Sequence, residues 1–297
     1  MRIYDWLFLR TCVKMLVHIL GFSIMFDLCV NFSSSALKSR RIEEILEQSR
    51  QAGLAGLCAV GTNLRASREA VALAEKHADF VFSSAGLHPH QARDWPADAQ
   101  AFRQLLAAHP QTVCGECGLD YYRMLSSKAE QQRAFCEQLE LARELDRPVL
   151  LHERDAFEDM LSIVREAGRG LRGVVHCFTG TSEQAQAYLD LGLDLGVTGW
   201  IADLRRAESL REAVLTIPLD RLHVETDAPF LLPRNMPKAA QKAAAGVNLP
   251  RYLPWVLEEV AHLLGQPADT VARQTTENSL RFLSLAKAGT SAHAAAR

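Results

Sequence analysis

The chain has 297 residues, 48% hydrophobic and 23% charged, with a formal net charge of -2. That balance excludes a disordered or collagen-like chain and leaves room for one large α/β barrel. Near-neutral charge excludes a protein that coats DNA, so any nucleic acid is a substrate held locally. The seven cysteines have no dense, regular spacing and read as reduced thiols of a cytoplasmic protein.

Residues 1–24 do not match the pattern of the rest of the chain. Arg2, Asp5, Arg10 and Lys14 interrupt the apolar run. The stretch after Lys14 is too short to span a bilayer, and no small-residue cleavage site closes it. We read 1–24 as an N-terminal extension outside the fold, with Met25 as the natural start. A membrane-surface helix is the competing reading.

From Met25 onward, short β-branched or Leu-rich runs alternate with helical patterns. The predicted order is strand Phe26–Val30, helix Lys38–Ala52, strand Leu57–Val60, helix Arg65–His77 and strand Phe80–Ala85. Then come helix Asp98–Ala108, strand Thr112–Glu116, helix Lys128–Leu145, strand Val149–His152, helix Phe157–Ala167 and strand Gly173–Cys177. A helix through Leu191, capped by Thr181 or Ser182, precedes strand Leu193–Val197, helix Ser209–Leu215 and strand Leu222–Thr226. Eight such units predict a closed (β/α)8 barrel, a TIM barrel, spanning 25–285. An open doubly wound sheet would need a glycine-rich loop after its first strand, where Asn31, Phe32 and serines stand instead. Helices Leu253–Leu264 and Pro267–Leu283 complete the domain, and residues 286–297 read as a disordered tail.

Barrel enzymes place chemistry at the C-terminal ends of their strands. Glu116, His152, His176 and Asp227 are predicted at the ends of strands four, five, six and eight. Imidazoles and carboxylates together are the ligand set of a hydrolytic divalent metal. His88 and His90, in GLHPH, come after strand three and point to a phosphate or proton role. Asp227 could hold the metal or take a proton from water, and Glu225, deeper on the same strand, reads as a buried partner of a ligand. Arg154 and Arg123 stand near the same rim, where guanidinium groups pair with phosphate oxygens; solvated loop arginines are the plainer alternative. Tyr121, Phe178 and Trp200 could stack on bases, though each alone reads better as a pocket wall. Cys114 and Cys117 form a CxxC, but strand alternation sends them to opposite faces, so they read as buried thiols.

The stretches GTNL at Gly61, GLHPH at Gly86, GECGLDYYR at Gly115, LHERDA at Leu151, VHCFTG at Val175, GVTGW at Gly196 and ETDAPFLLPR at Glu225 together resemble the TatD family of metal-dependent deoxyribonucleases. The resemblance runs from about Met25 to Leu285. It implies a barrel of the metal-dependent hydrolase type, a cytoplasmic location, and Mg or Mn as cofactor. It also implies phosphodiester hydrolysis, in the TatD subgroup a 3′ to 5′ exonuclease favouring single strands; DNA is the expected substrate, with RNA as the alternative. By motif match Glu116, His152 and His176 correspond to metal ligands, Asp227 to the catalytic or metal-linked aspartate, and His88 to a phosphate-side histidine. His90, Arg154 and Arg123 are the expected substrate-binding residues. A monomer without membrane attachment is expected.

Two departures stand out. Most relatives open on Asp-x-His-x-His, whereas here Cys29 and Asn31 come after Asp27; this fits the TatD subgroup and a looser Mg site. The common Asn-Glu-Pro is Asn248-Leu249-Pro250. The rival functions are a hydrolase of a small ester or amide, which would want the missing histidine pair, and a catalytically silent nucleic-acid-binding scaffold, which would not need all four strand-end ligands.

Overall fold

The computed structural model describes residues 25–38, 40–168 and 170–288. The expected extension, 1–24, lies outside the described residues, as do 289–297 of the expected tail. Residues 286–288 of that tail instead continue the helix Ala268–Ala288, because alanine and lysine favour helix extension.

Eight strands lie in sequence order in one parallel sheet. They are β1 (Met25–Val30), β2 (Leu54–Ala59), β3 (Val81–Ala85), β4 (Val113–Asp120), β5 (Val149–Arg154), β6 (Gly173–Val175), β7 (Asp194–Val197) and β8 (Leu222–Val224). The sheet closes where Val30 bridges Ala228 in parallel and the Asn31 N–H donates to the Ala228 carbonyl at 2.7 Å. This is the predicted (β/α)8 barrel. Alternation along the strands builds two apolar layers. Phe26, Leu28, Cys58, Val113, Leu150 and Val174 form an inner cluster. Their neighbours Leu57, Ala59, Cys114, Val149, Leu151 and Val175 pack outward with the helices. Each fully buried Leu or Val contributes roughly 1.5–3 kcal/mol.

Side-chain caps set several helix starts. Asn63 accepts from the Ala66 N–H at 2.9 Å. Ser127 with Glu130, and Thr181 with Gln184, form capping boxes. Thr181 is therefore the cap and Ser182 the first helical residue. The helix expected over Lys38–Ala52 is shorter, Ile42–Gln51, after a single turn at Ser35–Lys38. The one expected at Asp98 starts earlier, at Trp95, with a proline in its first turn. Among the described residues, no helix is long and apolar enough to cross a membrane.

Strand ends differ from the prediction where it matters most. β4 does not stop at Glu116 but continues to Asp120, and β5 carries His152 within its length. β6 and β8 end earlier than expected, so His176 and Asp227 lie just beyond them. Gly115 pairs with Leu150 and Cys117 with Leu151, which leaves Glu116 as an extra, bulged residue. The bulge resets the alternation. Cys114 and Cys117 consequently both face the outer apolar cluster, which corrects the expectation of opposite faces. The glycines flanking Glu116 are needed for this shape. A Cβ on Gly115, at φ +125°, would lie 2.3 Å from the Leu150 carbonyl oxygen, and one on Gly118, at φ +145°, 2.0 Å from that of His152.

The barrel seam carries a buried carboxyl. Asp27 is fully buried; its Oδ1 accepts from the Thr226 N–H at 2.8 Å, and its Oδ2 accepts from the Thr226 hydroxyl at 2.6 Å. Burial pushes Asp27 from the ordinary 3.8 up to about 8, against the hydrogen bonds from Thr226. The folded chain thus retains a proton there that the unfolded chain releases above about pH 4. The stability from this group is complete below that pH and declines as pH rises through the folded value. Asp27→Asn keeps a polar group of the same shape and is expected to fold. Urea titrations of metal-free protein at about pH 5 and pH 8 should show a smaller loss of stability for the variant than for the wild type. Equal losses would show that Asp27 is not the group that titrates.

Candidate active site

The bulge in β4 delivers Glu116 to the C-terminal mouth of the barrel, where it is 3% exposed. Its Oε1 lies 2.8 Å from His176 Nε2, 2.9 Å from His152 Nδ1 and 3.4 Å from His88 Nε2. Three of the predicted residues, Glu116, His152 and His176, therefore meet at one point, and His88 joins them. Burial opposes charge on Glu116, but His176 and His88 and the hydrogen bonds from His152 and His176 hold its carboxyl well below the usual range. Burial likewise opposes charge on His176, and the Glu116 carboxylate overcomes it, raising that imidazole well above its ordinary value. His152 moves up too, because bonds to Asp120 and Glu116 outweigh its burial.

These contacts fit a cation. A neutral imidazole nitrogen without a proton repels a carboxylate lone pair, so each short N···O contact requires a proton or a shared positive ion. His88, Glu116 and His152 can direct ligand atoms to one point, as can Cys29, His176 and Glu225. His152 Nε2 and His176 Nδ1 have only long contacts, to Asp120 Oδ2 at 3.4 Å and Glu225 Oε1 at 3.5 Å, and Glu225 Oε2 has no hydrogen-bond partner among the described residues. Buried polar atoms so weakly paired are costly unless something of opposite polarity joins them.

His88 has a more restricted role. Its Nδ1 accepts the His90 N–H at 3.1 Å. A neutral ring then carries its proton on Nε2 and acts as a donor. Burial, followed by repulsion from His152, pulls His88 down to about 4, so it is neutral near pH 7. The ring packs edge-on against His90 and His152, with centroids 4.2 Å and 4.4 Å away. His90 is anchored through Nε2 to Asp120 Oδ2 at 2.8 Å. Sequence alone does not single out Asp120, although it ends the GECGLD stretch. Burial opposes its charge, but hydrogen bonds from His152 and His90 hold it well below the carboxylate range. It also accepts the Tyr122 and Arg123 N–H groups at 3.0 Å and 2.8 Å, so one carboxylate fixes two histidines and the loop after β4.

Asp227 enters from beyond β8 in a left-handed conformation, φ +51°. Asn31 Nδ2 donates to its Oδ1 at 2.8 Å, and the Cys29 thiol approaches the same oxygen at 3.6 Å. Cys29 and Asn31, at the end of β1 and just beyond it, are thus two groups that hold the aspartate. Burial pushes Asp227 up to about 7, opposed by His176. Glu225, fully buried, accepts the Cys177 N–H and stands 3.5 Å from His176 Nδ1. That is the orienting position expected from sequence. Its room comes from Gly196, where a Cβ would lie 2.9 Å from Glu225 Oε1. Asn248, also fully buried, donates to the Thr226 carbonyl at 2.9 Å, while Leu249 packs in the apolar core.

The site opens into a groove of about 1530 Å³ that Arg123 and Arg154 also line. Both are exposed, and the Arg154 guanidinium sits 3.8 Å from the centre of the Tyr122 ring. The aromatics considered from sequence are walls. Tyr121 hydrogen-bonds Asp159 at 2.7 Å and Gln132 at 2.9 Å, Phe178 is buried, and Trp200 is partly buried beneath Arg206.

With the geometry in place, comparison with known proteins decides the family. Residues 26–284 match the family described as TatD related DNase. The chain belongs to that family. The "3'-5' ssDNA/RNA exonuclease TatD" of Pantoea ananatis is 43% identical over 264 residues, covering 88% of this chain and 100% of that protein. The protein of the same name from Rahnella sp. is 42% identical, covering 88% and 98%. Among solved structures, the TatD homolog YJJV of Escherichia coli is 26% identical with a TM-score of 0.74, covering 87% of this chain and 97% of that one. A hydrolase TatD family protein from Entamoeba histolytica, 21% identical, shares the fold with a TM-score of 0.78, over 87% and 97% of the two chains.

A divalent ion that binds this TatD-family chain only when folded must stabilise it. At about 100 times the dissociation constant the gain is roughly 2.7 kcal/mol, a Tm rise of about 5 °C or more. Manganese should produce that rise in the wild type. Glu116→Ala, His152→Ala and His176→Ala should each lose most of it. Equal rises in all four proteins would place the ion elsewhere.

Proposed function

We propose that this protein is a divalent-metal-dependent 3′ to 5′ exonuclease acting on single-stranded DNA, and on RNA as its relatives' names include. The observation that carries the reading is the convergence of His152, His176 and His88 on one buried carboxylate oxygen of Glu116, in a chain whose close relatives bear that name. Glu116, His152 and His176 would hold the metal. Mg is the ion we favour, with Mn as the alternative: one carboxylate and two imidazoles leave coordination positions for the waters that such ions retain. When bound, the ion supplies positive charge for the phosphoryl oxygens and lowers the pKa of water.

The chain's own groups account for the rest. Asp227 takes the proton of the attacking water, whose oxygen bonds to phosphorus as the P–O3′ ester bond breaks and the leaving O3′ takes up a proton from solvent to become a hydroxyl. Asn31 leaves Asp227 one oxygen for this task by occupying the other. Burial favours the protonated form of this carboxyl, so the ionised group is a ready proton acceptor. His88, neutral with its proton on Nε2, donates to a non-bridging phosphate oxygen. His90, fixed by Asp120, holds the His88 ring in place, a positioning role in place of the direct substrate contact expected from sequence. Arg154 and Arg123 take the flanking phosphates. The near-neutral net charge suits a short footprint at a strand end. We place the protein in the cytoplasm as a monomer; the six described cysteines stand as free thiols, in keeping with a reducing compartment.

The test is direct. A 5′-labelled single-stranded oligonucleotide should shorten stepwise with Mg, remain intact with chelator, and shorten at least about 1000-fold more slowly with Glu116→Ala, since the carboxylate holds the whole cluster. Equal shortening in all three cases would trace the activity to a contaminant.

A further inference from the structure

Exposed aromatic rings lose the benefit of burial, so their placement is informative. Tyr122 is 60% exposed and Phe230 is 53% exposed, and among the described residues they are the only large aromatics so exposed. Both line the groove over the Glu116 cluster. Tyr122 lies beyond β4 and Phe230 beyond β8. In a closed sheet of eight strands in sequence order, β4 and β8 stand opposite each other. The two rings therefore rise from opposite sides of the mouth, with the candidate metal ligands between them.

Neither ring is carried on a loose loop. The Tyr122 N–H donates to Asp120, the carboxylate that also anchors His90. Arg154 covers one face of the Tyr122 ring at 3.8 Å and leaves the opposite face for a ligand. The Phe230 N–H donates to the Asp227 carbonyl at 2.9 Å, closing a turn directly after the proposed base. The backbone that carries each ring is thus tied to residues of the site itself.

We propose that Tyr122 and Phe230 are the two base-stacking platforms of this groove, one for each nucleobase flanking the scissile phosphate. The proposal rests on the nuclease reading and deepens it. Every base has a π-face, so stacking on aromatic rings binds a strand without reading its sequence. Arg154 adds a cation beside the ring and a phosphate contact at the same place. Two platforms on opposite sides require adjacent bases to splay apart across the metal ligands. A single strand does this at the cost of one stacking step, whereas a duplex must also break base pairs. The arrangement gives a physical origin for single-strand selectivity.

The experiment uses the full chain and oligonucleotides carrying 2-aminopurine at the 3′-terminal or the penultimate position, with binding tracked by fluorescence quenching in chelator. Wild type should quench both positions. Tyr122→Ala and Phe230→Ala should each lose quenching at one position, and a different one for each. With Mg, each variant should show KM raised roughly 5- to 100-fold, with kcat within about twofold. Tyr122→Phe and Phe230→Trp should restore the wild-type KM. Oligonucleotides whose two 3′-terminal residues are abasic should be cleaved equally by wild type and the alanine variants. Cleavage by the wild type with quenching and KM unmoved in both alanine variants would overturn the stacking proposal alone. Quenching with the expected pattern but without any cleavage by the wild type would support it and remove the nuclease reading instead.

Discussion

A single buried negative charge organises this molecule. The carboxylate of Glu116 is out of water, and the imidazoles of His152, His176 and His88 surround one of its oxygens. An isolated ion in that position would be prohibitively unstable. It persists because positive charge is shared with it, as protons on the histidines or as a metal ion. The backbone shape that puts it there is a bulge between two glycines whose Cβ positions are filled by β5 carbonyl oxygens. The candidate metal-binding cluster and the close packing of β4 on β5 are one feature: a side chain at either glycine would drive apart the strands that carry Glu116 and His152.

The seam between β8 and β1 supplies the second half of the site. Asp27 binds Thr226, Asn31 binds both the Ala228 carbonyl and the Asp227 side chain, and Asn248 holds the Thr226 carbonyl. The segment that closes the barrel is therefore the segment that aims the proposed base. Cys29 and Asn31 both lie against Asp227. This makes the β1 side a support for that carboxylate.

Much of this was legible in the chain. Alternating apolar runs and helical patterns predicted eight units, and each has its strand in the barrel. Glu116, His152, His176 and Asp227 stood out because each ends an apolar run with a residue able to hold metal. The hidden features depend on register. Strict alternation sends Cys114 and Cys117 apart, and only the pairing of β4 with β5 reveals the inserted residue that brings them to one face. The same error ended β4 early and hid Asp120, whose carboxylate links His90 to the Tyr122 loop. Tyr121 and Tyr122 are adjacent and chemically identical, and nothing in the sequence separates the one hydrogen-bonded to Asp159 from the one left exposed. Only three-dimensional contacts distinguish them.

The central claim is that Glu116, His152 and His176 share one divalent ion. Anomalous diffraction from crystals soaked in manganese tests it without reference to turnover. The account predicts a peak within coordination distance of Glu116 Oε1 and of the His152 and His176 nitrogens that face it. A fully occupied peak elsewhere, or none at this point under saturating manganese, would contradict it.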